Sequence, residues 1–297
     1  MRVTDSMMYT EAITNIDQEQ STVQSLTQQS STGIAVNSPW DNPAAAGRAV
    51  TLQISGARFG AIANATTDAA NELSSADDAL NTIETSVQQA ITLATELGSG
   101  VQTTSQQTAA VEQITGIQNE IVAALNTQVG NRYIFGGTLD SAPPFDAAGN
   151  YSGNAQVRQV EVAPGIYQNA SVNVSVAVKG TGGGQDLFAA LSALSTALST
   201  GNNAAIFAAE APLTTALQQI NQARSQEGGD SDALQAASSL STQTQAVQTT
   251  ASANAVDIDE VTVATQLSQA QTTLQAAIDA SSKTFQLPFV GDTQQGT

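Results

Sequence analysis

Residues 71–100 read NELSSADDALNTIETSVQQAITLATELGSG, and their spacing decides the architecture. Leu73, Ala76, Leu80, Ile83, Val87, Ala90, Ala94 and Leu97 step by 3, 4, 3, 4, 3, 4 and 3. That is an unbroken heptad seam, the pattern of a long helix with one narrow apolar stripe. Such a stripe needs a partner along its length. A second chain in a coiled coil would serve, but the reading preferred here is a seam inside a helical bundle of the same chain. Gly98-Ser99-Gly100 ends the helix.

Upstream, Val50, Ile54, Ala57 and Ala61 at 4-3-4 spacing extend the apolar face of this helix toward its start. Asn37 to Pro43 form a turn-rich loop, in which Asp41 or Asn42 is the expected cap and Pro43 the first helical residue. Before it, Ile13, Ile16, Val23 and Leu26 mark a narrow amphipathic helix over residues 11–30, stopped at Gly33. Downstream, Val111, Ile114, Ile117, Ile121 and Ala124 predict another helix reaching toward Gly130.

From about residue 131 the character changes. Tyr133-Ile134-Phe135 is β-like and is closed by Gly136-Gly137. Val172, Val174, Val176 and Val178 alternate with polar or small residues, which predicts a half-buried strand. Val160 and Val162 predict a second strand. The glycine run Gly180 to Gly184 reads as a linker, because no Gly-Lys-Ser/Thr follows it to cradle phosphate. Helices then resume, with Leu187, Leu191, Leu194 and Leu198 on one face and Leu213, Leu217 and Ile220 on another. Gly228-Gly229 is expected to break the chain, with Asp230 or Ser231 capping a last helix of some fifty residues. That helix carries Val256, Val263, Leu267, Ala270, Leu274, Ala277 and Ser281, with Glu260 interrupting the seam.

The expected fold is therefore mainly α with a small β-rich insertion. The two ends serve as partners in a hairpin-like rod. The expected division is a terminal coiled-coil domain (1–40 and 255–297), a helical-bundle shaft (41–137 and 185–254) and a β-rich outer domain (138–184).

Composition narrows function. Across 297 residues there is no Cys and no His, and Lys179 and Lys283 are the only lysines. This leaves no thiol nucleophile, no disulfide and no usual zinc site. The expectation is a protein that is not an enzyme and has no cofactor or metal. A formal charge of −18 repels phosphate backbones and anionic lipid, so neither nucleic acid nor membrane is an expected partner. Only 11% of residues are charged, and the polar surface is Ser, Thr, Gln and Asn, a surface suited to packing against copies of itself. Asp257, Asp259 and Glu260 lack the loop spacing of a calcium site and read as a solvated helix face. Asp77-Asp78 show no apolar pocket for acid–base work. The N-terminus, Met1 to Met8, has no apolar core or cleavage site of a general secretory signal.

Specific residues then suggest a family. Met1-Arg2-Val3 with Met7-Met8-Tyr9, the loop Ser31-Thr32-Gly33 through Ser38-Pro39, Asp41 and Pro43-Ala44-Ala45-Ala46, and above all Asn131-Arg132-Tyr133-Ile134-Phe135-Gly136-Gly137-Thr138 are similar to FlgL-type hook–filament junction proteins (hook-associated protein 3) of the flagellin superfamily. Pro144-Phe145, Tyr151 and the segment from Asp257 to Ala277 continue the likeness. It covers residues 1 to about 140 and about 225 to 287, and the polar tail Gly291 to Thr297 departs from it.

The resemblance implies a structural subunit of the bacterial flagellum, forming the ring that joins the hook to the filament. It implies an extracellular place reached by flagellar type III export without a cleaved signal peptide. The implied partners are a FlgK-type first junction protein, flagellin, copies of the chain itself in a ring and a FlgN-type export chaperone. The implied assembly interface lies on the terminal helices: Ile13, Ile16, Val23, Leu26, Val263, Leu267, Ala270, Leu274, Ala277 and Phe285. Tyr133, Ile134, Phe135, Gly136 and Gly137 act as a family marker and read as a buried link. The alternatives are a filament subunit, from which the Tyr133–Gly137 segment distinguishes it, or a secreted adhesin-like structural protein.

Overall fold

The computed structural model describes the backbone of residues 2–100 and 102–290, and side-chain surroundings within residues 7–283. Its elements are α1 (Arg2–Thr32), α2 (Pro43–Gly98), α3 (Thr104–Leu125), β1 (Gln128–Val129), β2 (Arg132–Tyr133), β3 (Gln159–Ala163), β4 (Ile166–Asn169), α4 (Val174–Ala177), α5 (Leu187–Thr200), α6 (Asn203–Val256) and α7 (Glu260–Val290). The fold is mainly α, with β1–β2 and β3–β4 as two separate antiparallel hairpins. The chain divides into two compact units, residues 1–56 with 246–297, and residues 57–245.

In the larger unit the heptad seam is an intrachain seam. Leu73, Leu80, Ile83, Val87, Ala90 and Ala94 are all buried. From Ala76 onward they meet Ile114 and Ile121 of α3, Leu191 and Leu194 of α5, and Leu213 and Ile220 of α6 in one core. Thr103 opens α3 through a capping box, in which its Oγ1 accepts from the Gln106 amide while the Gln106 side chain accepts from the Thr103 amide. Asp186 caps α5, and Gly201 closes it at φ 61°. A second, smaller cluster packs Val160 and Val162 of β3 against Ala69, Leu73 and Leu234, which seats the hairpin on α2 and α6.

The four-valine strand is not formed. Val174–Ala177 is a single helical turn capped by Asn173, whose Oδ1 accepts from the Ser175 amide. Val174 and Val178 stand four residues apart and are both buried, which a helix satisfies as well as a strand does. The intervening residues separate the two geometries, since Val176 is exposed while Ser175 and Ala177 are buried. Strand β4, which carries no strong alternation, completes the pairing of β3 instead.

Gly228-Gly229 does not break the chain either. Helix α6 runs through both, anchored by the buried Ile220 and Leu234 on either side. A Gly in a helix interior costs about 1 kcal/mol relative to Ala, and burial of the flanking side chains offsets that. The glycine run Gly180 to Gly184 forms a defined turn, closed by the Gly184 amide donating to the Gly180 carbonyl at 2.9 Å.

In the smaller unit, Gly33 ends α1 at φ 72°, with its amide donating to Gln29 O. Asn42 Oδ1 accepts from the Ala45 amide at 3.1 Å and caps α2 at Pro43. The expected single C-terminal helix is divided between Val256 and Glu260. There the chain leaves helical geometry to pair with the segment after α1. The Ala35 amide donates to Val256 O at 2.6 Å, and the Ile258 amide to Gly33 O at 3.2 Å. The expected apolar face at the start of α2 is also displaced, since Val50 and Ile54 are exposed. Further along the helix, in the larger unit, Ile62, Ala63, Thr66 and Ala69 turn inward.

Threonines line the outer faces of most helices. Thr14, Thr51, Thr92, Thr215, Thr244 and Thr272 each donate a hydroxyl hydrogen bond to the carbonyl four residues earlier, at 2.8 to 3.0 Å.

Candidate functional site

The residues singled out on the terminal helices come together in the smaller unit. Helices α1 and α7 pack against each other, with Met8, Ala12 and Asn15 facing Ala277, Ala280 and Ser281. At the other end Ile34 bridges to Asp257. The two helices therefore run antiparallel. Val263 and Ala270 are buried at this seam. Ile16, Val23, Leu26, Leu267, Leu274 and Ala277 are half-buried, and Ile13 is exposed. Phe285 lies outside the described side chains.

The half-burial has a simple cause. Two helices lying side by side cover one stripe on each and leave the flanks open. Neither of the buried hydrophobic clusters includes a residue of α1 or α7. Met7, Met8, Tyr9, Ile13, Val261 and Ile278 stay exposed on the same helices, at 41–77% of their full accessibility.

Asp257, Asp259 and Glu260 do not gather into a cation site. Asp259 caps α7, accepting from the Thr262 hydroxyl at 2.9 Å and the Val261 amide at 3.1 Å. These bonds, led by the one from Thr262, hold its carboxyl below the usual value. Among the described residues no group of three or more His, Cys, Asp or Glu is placed to hold a metal ion. Asp77 is engaged structurally, accepting from Arg224 Nε at 2.7 Å.

Tyr133 to Gly137 links α3 to the first long loop. Phe135 is fully buried in the main core. The Tyr133 amide donates to Asp140 O, and the Tyr151 hydroxyl to Phe135 O. Both glycines are required. A Cβ on Gly136 would stand 2.4 Å from Leu139 O, and one on Gly137, at φ 70°, would stand 2.2 Å from Asn154 Oδ1.

Sequence reasoning missed two buried carboxylates. Glu72 on α2 takes both Arg132 and Arg158, tying α2 to β2 and to the segment before β3. No local pattern announces a partner that far along the chain. Glu227, beside the two glycines of α6, is also buried.

The family described as "Bacterial flagellin N-terminal helical region" matches residues 3–140. The chain is 32% identical over 167 residues to flagellar hook-associated protein 3 of Salmonella typhimurium, covering 55% of this chain and 53% of that protein. It is 28% identical over 211 residues to the Escherichia coli protein of the same name, covering 67% of each. The chain is thus similar to flagellar hook-associated proteins over these stretches. It spans about half the length of the Salmonella relative. Its fold matches the structure of a putative flagellar hook-associated protein from Vibrio parahaemolyticus. The TM-score is 0.67 at 17% identity, covering 73% of this chain and 100% of that one. The matched region 3–140 takes in α1 to β2 and the Tyr133–Gly137 segment.

Proposed function

We propose that the chain is a structural subunit of the bacterial flagellum, placed where the hook meets the filament. The observation that carries this is the half-covered α1–α7 pair, flanked by the exposed Met7, Met8, Tyr9 and Ile13. A surface of that kind becomes dry when a neighbouring subunit lies against it. Both curated relatives have the hook-associated name, which favours a junction place over the bulk of the filament.

In this reading Ile13, Ile16, Val23, Leu26, Val263, Leu267, Ala270, Leu274, Ala277 and Phe285 form the assembly interface. Copies of the chain close a ring between a FlgK-type protein and flagellin. A FlgN-type chaperone shields the terminal helices before type III export, and the subunit works outside the cell without an enzymatic role. Residues 1–40 with 255–297 serve as the terminal coiled coil, 41–137 with 185–254 as the shaft, and 138–184 as the outer region.

The test is a gene deletion complemented with either the natural chain or a Leu267→Asp, Leu274→Asp variant. The deletion should leave hooks without filaments and release flagellin into the medium. The natural chain should restore filaments and the variant should not, although the variant's larger unit keeps its fold. Filaments that persist in the deletion strain would refute the junction role. Filaments restored by the variant would refute the role of the α7 seam.

A further inference from the structure

The larger unit also holds a cleft that the proposed assembly does not use. Between α4, the segment after β4 and the middle of α6 lies a cavity of about 300 Å³, at the lower end of the size range of small-molecule sites. From α6 it is lined by Gln222, Gln226, Glu227 and Asp230, whose three- and four-residue spacings place them on one helix face. Opposite stand Val172, Val176 and Ala177.

Glu227 is only 4% exposed, yet among the described residues it forms neither an ion pair nor a hydrogen bond. Arg224, one turn away, is committed to Asp77 and Glu84 on α2. A carboxylate held in a largely buried residue, with no protein partner and a cleft in front of it, is placed to take a donor that enters the cleft.

The other polar groups of the cleft indicate what kind of donor fits. Gln219 is consumed by the backbone of Val176, Ala177 and Gln185. Asn173 is consumed as the cap of α4. Asp230 accepts from Gln168 with one oxygen and keeps the other. The remaining groups are two carboxylates, which only accept, and the carboxamides of Gln222 and Gln226, which accept and donate. No Lys or Arg lines the cavity. A protein-held metal ion does not suit it, since no group of three or more ligating side chains is placed to hold one among the described residues. A guanidinium does suit it, with five donors, no acceptor and a fork that matches a carboxylate.

We propose that this cleft binds an alkylguanidinium group, with Glu227 accepting its paired N–H donors and Val172 and Val176 covering its aliphatic stem. The proposal stands on the cavity and does not rest on the junction reading.

The experiment titrates n-butylguanidinium into the full chain at pH 8, followed by calorimetry. Saturable binding is expected. Glu227→Gln should weaken it at least tenfold, and Val176→Trp, which fills the cleft without touching the carboxylate, should abolish it. N-butylurea, similar in shape but uncharged, should not bind.

Burial, reinforced by Asp77, pushes the Glu227 carboxyl up to about 7. The charged groups facing it are Asp77 and Asp78 from α2, and Arg224 and Asp230 from α6. Affinity should therefore rise about tenfold from pH 6 to pH 8 as the carboxylate ionises. A blocked peptide carrying one arginine separates two sources of the group. Binding as tight as that of butylguanidinium indicates the side chain of a neighbouring protein, and rejection of the peptide indicates a free small cation. No saturation, equal binding by the Glu227→Gln chain, or equal binding of N-butylurea would overturn the proposal.

Discussion

Replacing Glu227 by Gln should stabilise the protein, and only above a definite pH. Glu227 is a largely buried residue whose carboxyl has no hydrogen-bond or ion-pair partner among the described residues, and its pKa rises from 4.5 to about 7 in the folded chain, chiefly by loss of solvation and then by the neighbouring Asp77. Between these two values the folded state binds a proton that the unfolded state has released. Stability therefore falls as pH rises through that window. Below about pH 4.5 the group is neutral in both states and costs nothing. Above about pH 7 it is charged in both, and the full penalty stands. A shift of that size, discounted for the solvent that reaches the carboxyl, corresponds to about 1–2 kcal/mol. Gln is nearly isosteric with the protonated acid and stays neutral throughout, so the variant escapes the penalty. For a unit of this size, 1 kcal/mol moves Tm by about 2–4 °C. The main helical transition of Glu227→Gln should thus lie roughly 2–8 °C above that of the natural chain at pH 8. At pH 4 the two should coincide. Thermal unfolding followed by far-UV circular dichroism at both pH values measures the double difference, in which shared carboxylate effects cancel. An equal margin at pH 4 and pH 8, or no margin at pH 8, would refute the burial argument.

Two further substitutions probe the packing. Ile83→Ala removes a fully buried side chain at the centre of the seam and should cost about 2–5 kcal/mol in denaturant unfolding; a loss under about 1 kcal/mol would mean that the seam does not pack as described. Arg224→Gln strips Asp77 and Glu84 of their shared partner and should cost about 1–2 kcal/mol; unchanged stability at low salt would show the pairs to be dispensable.

What the sequence made legible was what repeats. The eight positions from Leu73 to Leu97 step by three and four residues through about three and a half heptads, and all of them but Leu97 are buried. Gly33, Asn42 and Pro43 act through local backbone geometry, so residue type alone located the end of α1 and the start of α2. The misreadings came where distant contacts overrule local preference. Gly228-Gly229 look like a break, but the burial of Ile220 and Leu234 carries the helix through them. Val172 to Val178 fit two periodicities at once, and packing against the core chose the helical one. The division of α6 from α7 depends on hydrogen bonds to Gly33 and Ala35, more than two hundred residues away, which no window of sequence contains. The terminal stripe was legible as a stripe, and its antiparallel pairing with α7 followed from the layout. The α6 cleft was not, because Glu227 has no nearby pattern to distinguish it from any surface glutamate.

The threonines that bond back to their own helices have a consequence for how such a surface meets another. Each hydroxyl at Thr14, Thr51, Thr92, Thr215, Thr244 or Thr272 has already donated its hydrogen to its own backbone. An approaching neighbour then strips little water from unmet donors and finds no fixed partner that would lock it to one position. A face of this kind tolerates sliding and small changes of register. In the junction role proposed above, with one helical array on one side and a different one on the other, that tolerance would let a single surface serve two unlike neighbours.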